Sequence, residues 1–175
     1  LSNIQYDRFN RVISYVDKSF SDTSIDLVTT TYITGIEYDE FENQKSYLEI
    51  NNKESLIKDT QGNSLYKLFD YILYTEINYD EYGRRKSYKG KRASSDSPDI
   101  ISDVSWEVTE FDKNTGKILS QKEITNKKAY DVNGSVITDI TIEITKEGIV
   151  YDLLGRIIRY REISKDSSRP GIIAE

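Results

Sequence analysis

A chain with no His and no Cys lacks the two side chains that most often supply a general base or a thiolate. Any reaction would fall to carboxylates, Lys or Tyr. Cleavage of a glycosidic bond suits that inventory and needs two carboxylates facing each other across a cleft. Two groupings have the composition for it: Asp39 with Glu40 and Glu42, and Asp80 with Glu81. Both lie in a segment type that recurs along the chain with acids each time, which gives these carboxylates a repeated structural role. The sequence therefore predicts no enzyme and no catalytic residue.

Hard cations need several oxygen ligands, and Asp22 with Asp26 and Asp96 with Asp99 are the candidates for calcium. Neither pair sits in an Asp-x-Asp-x-Asp-Gly loop, and a solvated acidic loop accounts for both, so no metal and no cofactor is expected. Asn133-Gly134-Ser135 is formally an N-glycosylation sequon, but Gly134 already has a turn role. Lys89, Lys91 and Arg92 beside Tyr88 read as a solvated strand end. Trp106 and Tyr32 occupy nearly matching phases of a repeat and read as core anchors, with a sugar-stacking platform as the alternative.

Composition narrows the class of partner. Lys and Arg total 24 against 30 Asp and Glu, a net charge of −6, which argues against a nucleic-acid footprint. No apolar run reaches the roughly 18 residues of a membrane helix, so no membrane span is expected. Apolar residues make up 37%, and Tyr, at 14, far outnumbers Phe at 5 and Trp at 1. Tyr suits a half-buried position because its ring packs while its hydroxyl reaches water. A thin core with a wet face follows.

The elements that carry these residues are repeated. Ile4-Gln5-Tyr6-Asp7 through Tyr15 recurs as Ile77-Asn78-Tyr79-Asp80 through Tyr88, and again as Ile149-Val150-Tyr151-Asp152 through Tyr160. The offsets are 73 from Tyr6 to Tyr79, 73 from Tyr38 to Phe111, 72 from Lys58 to Tyr130 and 72 from Tyr79 to Tyr151. The chain thus divides into copy 1 at 4–76, copy 2 at 77–148 and a truncated copy 3 at 149–175. Within the copies the markers Tyr6, Tyr38, Lys58, Tyr79, Phe111, Tyr130 and Tyr151 lie 32, 20, 21, 32, 19 and 21 residues apart. A subunit of about 20 residues with one enlarged, Ser-rich spacer generates that series. The spacer itself recurs as Ser21 to Asp26, Ser94 to Asp99 and Ser167 to Gly171, with Pro98 and Pro170 at matching phase. Glu175 falls inside a hairpin by this phase, and there is no Met at position 1, so the sequence reads as a piece of an array expected to continue.

Each marker precedes an Asp: Asp7, Asp39, Asp59, Asp80, Asp112, Asp131 and Asp152. A Gly or Asn follows: Asn10, Asn43, Gly62, Gly83, Gly116, Gly134 and Gly155. A hairpin turn followed by a bulge needs one residue with positive φ, which Gly takes freely and Asn tolerates. The Asp carboxylate can accept backbone N–H groups two residues on, an Asx turn. The loops Tyr38 to Asn43 and Phe111 to Gly116 read as a longer variant at one phase. Between turns, Thr138 to Thr145 alternates, with Ile140, Ile142 and Ile144 on one face. A turn near Thr75-Glu76 interrupts a similar run. The predicted fold is all-β, an antiparallel meander of tandem β-hairpins forming an extended, repeat-type sheet or sandwich. All Tyr-Asp turns are expected along one edge, with Asn51-Asn52-Lys53, Asn126, Glu147-Gly148 and the Ser-rich spacers turning at the other.

Tyr79-Asp80-Glu81-Tyr82-Gly83-Arg84 and Tyr151-Asp152-Leu153-Leu154-Gly155-Arg156 resemble the YD repeats of the Rhs and teneurin class. The Ser-rich spacer followed by an aromatic strand and another Tyr-Asp turn is still more similar to tandem arrays of giant bacterial surface proteins. The resemblance implies an extracellular or cell-surface fibrous protein. The expected function is structural: a fibre-forming or filament subunit, a homo-oligomer of copies joined through strand edges. The alternatives are an adhesive or carbohydrate-binding surface module and a YD-type shell segment of a secreted toxin.

Overall fold

The computed structural model describes residues 1–20, 26–169 and, as backbone, 173–174. The expectations placed on residues 21–25, Asp22 among them, on Pro170 and Gly171, and on Glu175 lie outside the described residues. The fold is all-β. Its strands are β1 (Ser2–Tyr6), β2 (Val12–Phe20), β3 (Leu27–Tyr38), β4 (Gln44–Ser55), β5 (Lys67–Tyr79) and β6 (Arg85–Ser94). They continue as β7 (Ser97–Phe111), β8 (Ile118–Tyr130), β9 (Val136–Tyr151), β10 (Ile157–Asp166) and β11 (Ile173–Ala174). Strand order in the sheet is chain order, the meander the turn spacing predicts. Contacts divide the chain into two compact units, Leu1–Ile77 with Gly90–Pro98, and Asn78–Lys89 with Asp99–Glu175.

The marker spacings now have a structural meaning. A step of about 20 residues is one strand with its turn, as from Tyr38 along β4 to Lys58. The step of 32 from Tyr6 to Tyr38 is two strands, β2 and β3. The expectation that all Tyr-Asp turns share one edge is therefore overturned. In the first unit the Asp7 and Asp39 turns follow odd-numbered strands and Asp59 an even-numbered one. In the second, Asp80, Asp112 and Asp152 follow odd strands and Asp131 an even one. Successive turns of a meander alternate between strand ends, so Asp59 and Asp131 sit opposite the rest of their units. Asn51-Asn52-Lys53, Asn126 and Glu147-Gly148 are not turns; they lie inside β4, β8 and β9.

The strands carry a second repeated device. Asn3, Gly35, Glu76 and Gly148 all have positive φ, at 51°, 64°, 48° and 59°, and each stands four residues before a turn Asp. The pairing register slips by one residue there in β1, β3 and β9. These are β-bulges, each an extra residue that re-aims the chain. Glu76 is thus a bulge within β5, not a turn. Ile36, Ile77 and Ile149 follow the bulges and are buried to 5%, 5% and 4% exposure.

The core is thin. The first unit buries Ile33, Ile36, Tyr47 and Ile77, the second Val104, Val108 and Ile149, and none of the described side chains is fully enclosed. On β9, residues 140–147 are half-buried whichever face they occupy. Ile140, Ile142 and Ile144 therefore face no closed core, and the simple inside-outside reading of that strand is corrected.

The Ser-rich spacer contracts to a tight turn at Ser95-Asp96 between β6 and β7. Ser95 explains the composition. Its N–H donates to the Phe69 carbonyl at 2.8 Å and its hydroxyl accepts the Phe69 N–H at 2.9 Å. Ser167 repeats the pair on Thr141, at 2.9 and 2.8 Å.

Candidate functional site

The recurrent chemistry of the molecule is concentrated at the Asp turns. At Asp80 the main chain closes twice, with Asp80 N–H donating to the Arg84 carbonyl at 2.9 Å and Gly83 N–H to the Asp80 carbonyl at 3.0 Å. The carboxylate fills the turn from inside: Oδ1 accepts the N–H groups of Tyr82 at 2.9 Å and Arg84 at 3.0 Å. Oδ2 takes the guanidinium, at 2.7 Å from Nε and 2.6 Å from Nη2. Asp7 with Arg11 and Asp152 with Arg156 repeat this clamp. At Asp39 and Asp59 an amide takes the place of the guanidinium, through Asn43 Nδ2 at 3.3 Å and Asn63 Nδ2 at 3.1 Å.

Two turn expectations change. At Asp39 the residue with positive φ is Glu42, at 66°, not Asn43. Asn43 is one place further on and serves as the amide clamp, so the Tyr38 loop has the ordinary length. Asp112 alone among the described turns has an added residue. Oδ1 there accepts Asn114 N–H at 2.9 Å, Thr115 N–H at 2.6 Å and the Thr115 hydroxyl at 2.9 Å, and Gly116 takes the positive φ.

This bonding settles what the carboxylates can do. The Arg84 side chain, against an opposing cost of desolvation, holds Asp80 below the ordinary Asp value of 3.8, and backbone N–H groups add to it. At Asp39 desolvation pulls upward, but the Asn43 backbone and side chain outweigh it. A general acid needs the opposite shift. Glu40, Glu42 and Glu81, the other members of the proposed pairs, are exposed.

Successive turns meet through a cation and an aromatic ring. In the first unit the Arg11 guanidinium lies 4.6 Å from the Tyr38 ring centre, and the Tyr38 hydroxyl donates to the Val12 carbonyl at 2.6 Å. In the second, Arg84 lies 4.0 Å from Phe111, and Lys117 Nζ 4.9 Å from Tyr151, whose hydroxyl donates to the Ile118 carbonyl at 2.8 Å. Each joint couples the clamp residue of one turn to the aromatic that opens the next turn on that side. Sequence reasoning identified the aromatic and the Asp but missed the partner. Its signal is the Arg four residues after Asp.

A groove of about 670 Å³ lies where two such turns adjoin, lined by Tyr82, Arg84, Phe111, Lys113, Asn114 and Gly116 among others. A Cβ at Gly116 would come within 3.0 Å of Arg84 Nη1, so the bare glycine lets the guanidinium lie over the ring.

The remaining candidates are dispersed. Asp26, Asp96 and Asp99 are exposed, and the described residues gather no group of three or more potential metal ligands. Asn133-Gly134-Ser135 forms the exposed tip of the Asp131 turn. Lys89 and Lys91 are exposed and Arg92 half-buried within β6. Trp106 stacks on Tyr88 at 5.3 Å and is half-buried, on the strand that buries Val104 and Val108. Tyr32 is 41% exposed and is not a core anchor; its neighbour Ile33 has that place. No helix among the described residues is long and apolar enough to cross a membrane. Compared with known proteins, the chain matches no family model, no curated protein and no solved structure.

Proposed function

We propose that this chain is a structural repeat segment of a fibre-forming or cell-surface filament protein, related to YD-type arrays, whose copies join through β-strand edges. The observation that carries the reading is the copied joint: clamp, ring and hydroxyl recur at the same phase of the repeat. Carboxylates that might serve a reaction are instead occupied as turn fillers. A repeat with so little enclosed core gains stability from its neighbours, which favours association over a solitary existence. An extracellular or surface location follows from the likeness to surface arrays. The test is negative-stain electron microscopy with sedimentation velocity over a wide concentration range. Strings or filaments that lengthen with concentration support the reading, and a well-folded monomer throughout would sink it.

A second reading, a carbohydrate-binding surface, rests on one row of the first unit. Val16, Tyr32, Ile50 and Tyr71 pair in register across β2 to β5, and both tyrosines face solvent. Retarded migration in gels containing soluble polysaccharide, abolished by Tyr32→Ala with Tyr71→Ala, would favour it over the structural reading.

A further inference from the structure

The joints between turns have two halves, and the molecule displays one of each uncovered. The receiving half is a clamped cation with the backbone carbonyl that follows it: Arg11 with Val12, and Lys117 with Ile118. The entering half is the aromatic before the next turn Asp. Where a ring covers the guanidinium, the side chain is largely shielded, to 28% exposure at Arg11 and 29% at Arg84. Arg156 makes the same clamp to Asp152 yet is 73% exposed. Tyr6, an entering aromatic by its place before Asp7, is 52% exposed, whereas Tyr38 and Tyr151 are half-buried in their joints.

We propose that the Arg156–Ile157 half-joint is a docking site for a Tyr-Asp turn, and that its occupant in assemblies of this chain is Tyr6-Asp7 of a second copy. The proposal rests on the self-assembly reading and gives it a contact. In the docked joint the Tyr6 ring lies over the Arg156 guanidinium and its hydroxyl donates to the Ile157 carbonyl, as Tyr38 does on Arg11 and Val12.

Backbone features agree on the occupant. Strand β11 pairs with β10 only at Ser164 and Lys165, while the turn-proximal part of β10 exposes Ile157, Ile158 and Tyr160. Strand β1 is five residues long, a length suited to that stretch. It also runs towards its Asp turn, the direction an antiparallel neighbour of β10 must have. It has the bulge at Asn3 that β3 has at Gly35, so it would arrive with the geometry used inside the chain. Ile4, which follows that bulge, is exposed where Ile36, Ile77 and Ile149 are buried. Addition of β1 to the β10 edge is strand augmentation, with the ring and cation setting register. Because the two halves are different surfaces, the contact is head-to-tail and propagates into a ring or a filament.

The test uses two variants of the 175-residue chain, Tyr6→Ala and Arg156→Ala, each of which spoils one half. Sedimentation velocity measures association of each alone and of the two mixed, with circular dichroism confirming folding. Loss of the cation–ring contact and hydroxyl bond is expected to weaken association about tenfold or more for either variant. The equimolar mixture should form a heterodimer and stop there, since one sound joint remains between Tyr6 of the Arg156→Ala chain and Arg156 of the Tyr6→Ala chain. Wild-type assembly matched by both variants would overturn this joint and leave the filament reading standing. A wild-type chain that stays monomeric would overturn both. If Arg156→Ala is unfolded, Tyr6→Phe replaces the pair: it keeps the ring, removes the hydroxyl, and should still weaken assembly measurably.

Discussion

The Tyr151 hydroxyl donates a 2.8 Å hydrogen bond to the carbonyl of Ile118, 33 residues earlier in the chain. Tyr38 makes the equivalent bond to Val12 across 26 residues. The bonds tie turns that local sequence alone would leave independent. Tyr151→Phe and Tyr38→Phe should each lower stability by about 0.5–1.5 kcal/mol, measured as a fall in urea midpoint. Phe111, which has no hydroxyl at the matching position, offers the converse: Phe111→Tyr should raise the midpoint.

The backbone at Glu42 tests the turn geometry. A left-handed residue with a Cβ costs roughly 1–2 kcal/mol, offset in part by the flexibility that Gly brings to the unfolded chain. Glu42→Gly should therefore stabilise the protein, while Gly83→Ala, at φ 74°, should destabilise it. Chemical denaturation of the two variants beside wild type reads both signs; stabilisation by Gly83→Ala would mean the turn is misassigned.

Acid should unfold the protein through its turns. Asp7, Asp39, Asp59, Asp80, Asp112 and Asp152 are all held below the ordinary value of 3.8. A carboxyl whose folded value is depressed contributes stability that is present above its unfolded value and is lost as pH falls through the folded one. The urea midpoint should be level near neutrality and fall between about pH 5 and pH 2. Asp80→Asn should start lower and fall less steeply over that range.

At the opposite strand ends, Ser95→Ala and Ser167→Ala each delete the hydroxyl that accepts a neighbouring strand's N–H. A loss of about 0.5–1.5 kcal/mol is expected for each, with faster amide exchange at Phe69 or Thr141 as the local signature. Unchanged exchange at both amides would show that the hydroxyl bond is not formed in solution.

The hairpins were legible because their requirements are local. Asp needs only its own turn to fill, and a residue of positive φ selects Gly, so both leave a visible mark at fixed spacing. Glu42 was missed because an adjacent Asn is the better candidate on conformational grounds, and only the clamp to Asp39 shows that Asn43 was placed for its amide. The bulges were missed because a slipped register is a property of two strands, and Glu76 carries no compositional sign of it. Tyr32 was misplaced because alternation tells which residues share a face but not which face is covered, and in this thin sheet both are partly wet. The Arg that follows the turn was visible throughout as part of the repeated string. Its second contact, to a ring some thirty residues on, was not, since nothing near it in the chain supplies that ring.

The bulge four residues before each odd-strand turn has a consequence for how the chain tolerates change. One extra residue inverts parity, so Ile33 and Ile36 are both buried although three positions apart. Deleting Gly35 or Gly148 would restore strict alternation and turn over the short segment leading to the turn, sending Ile36 or Ile149 to the opposite face with its aromatic and Asp. A frameless edit elsewhere in a loop shifts only length. At these positions it would change handedness of address, which side of the sheet every following side chain is delivered to, and the array would lose its joints while keeping every residue that makes them.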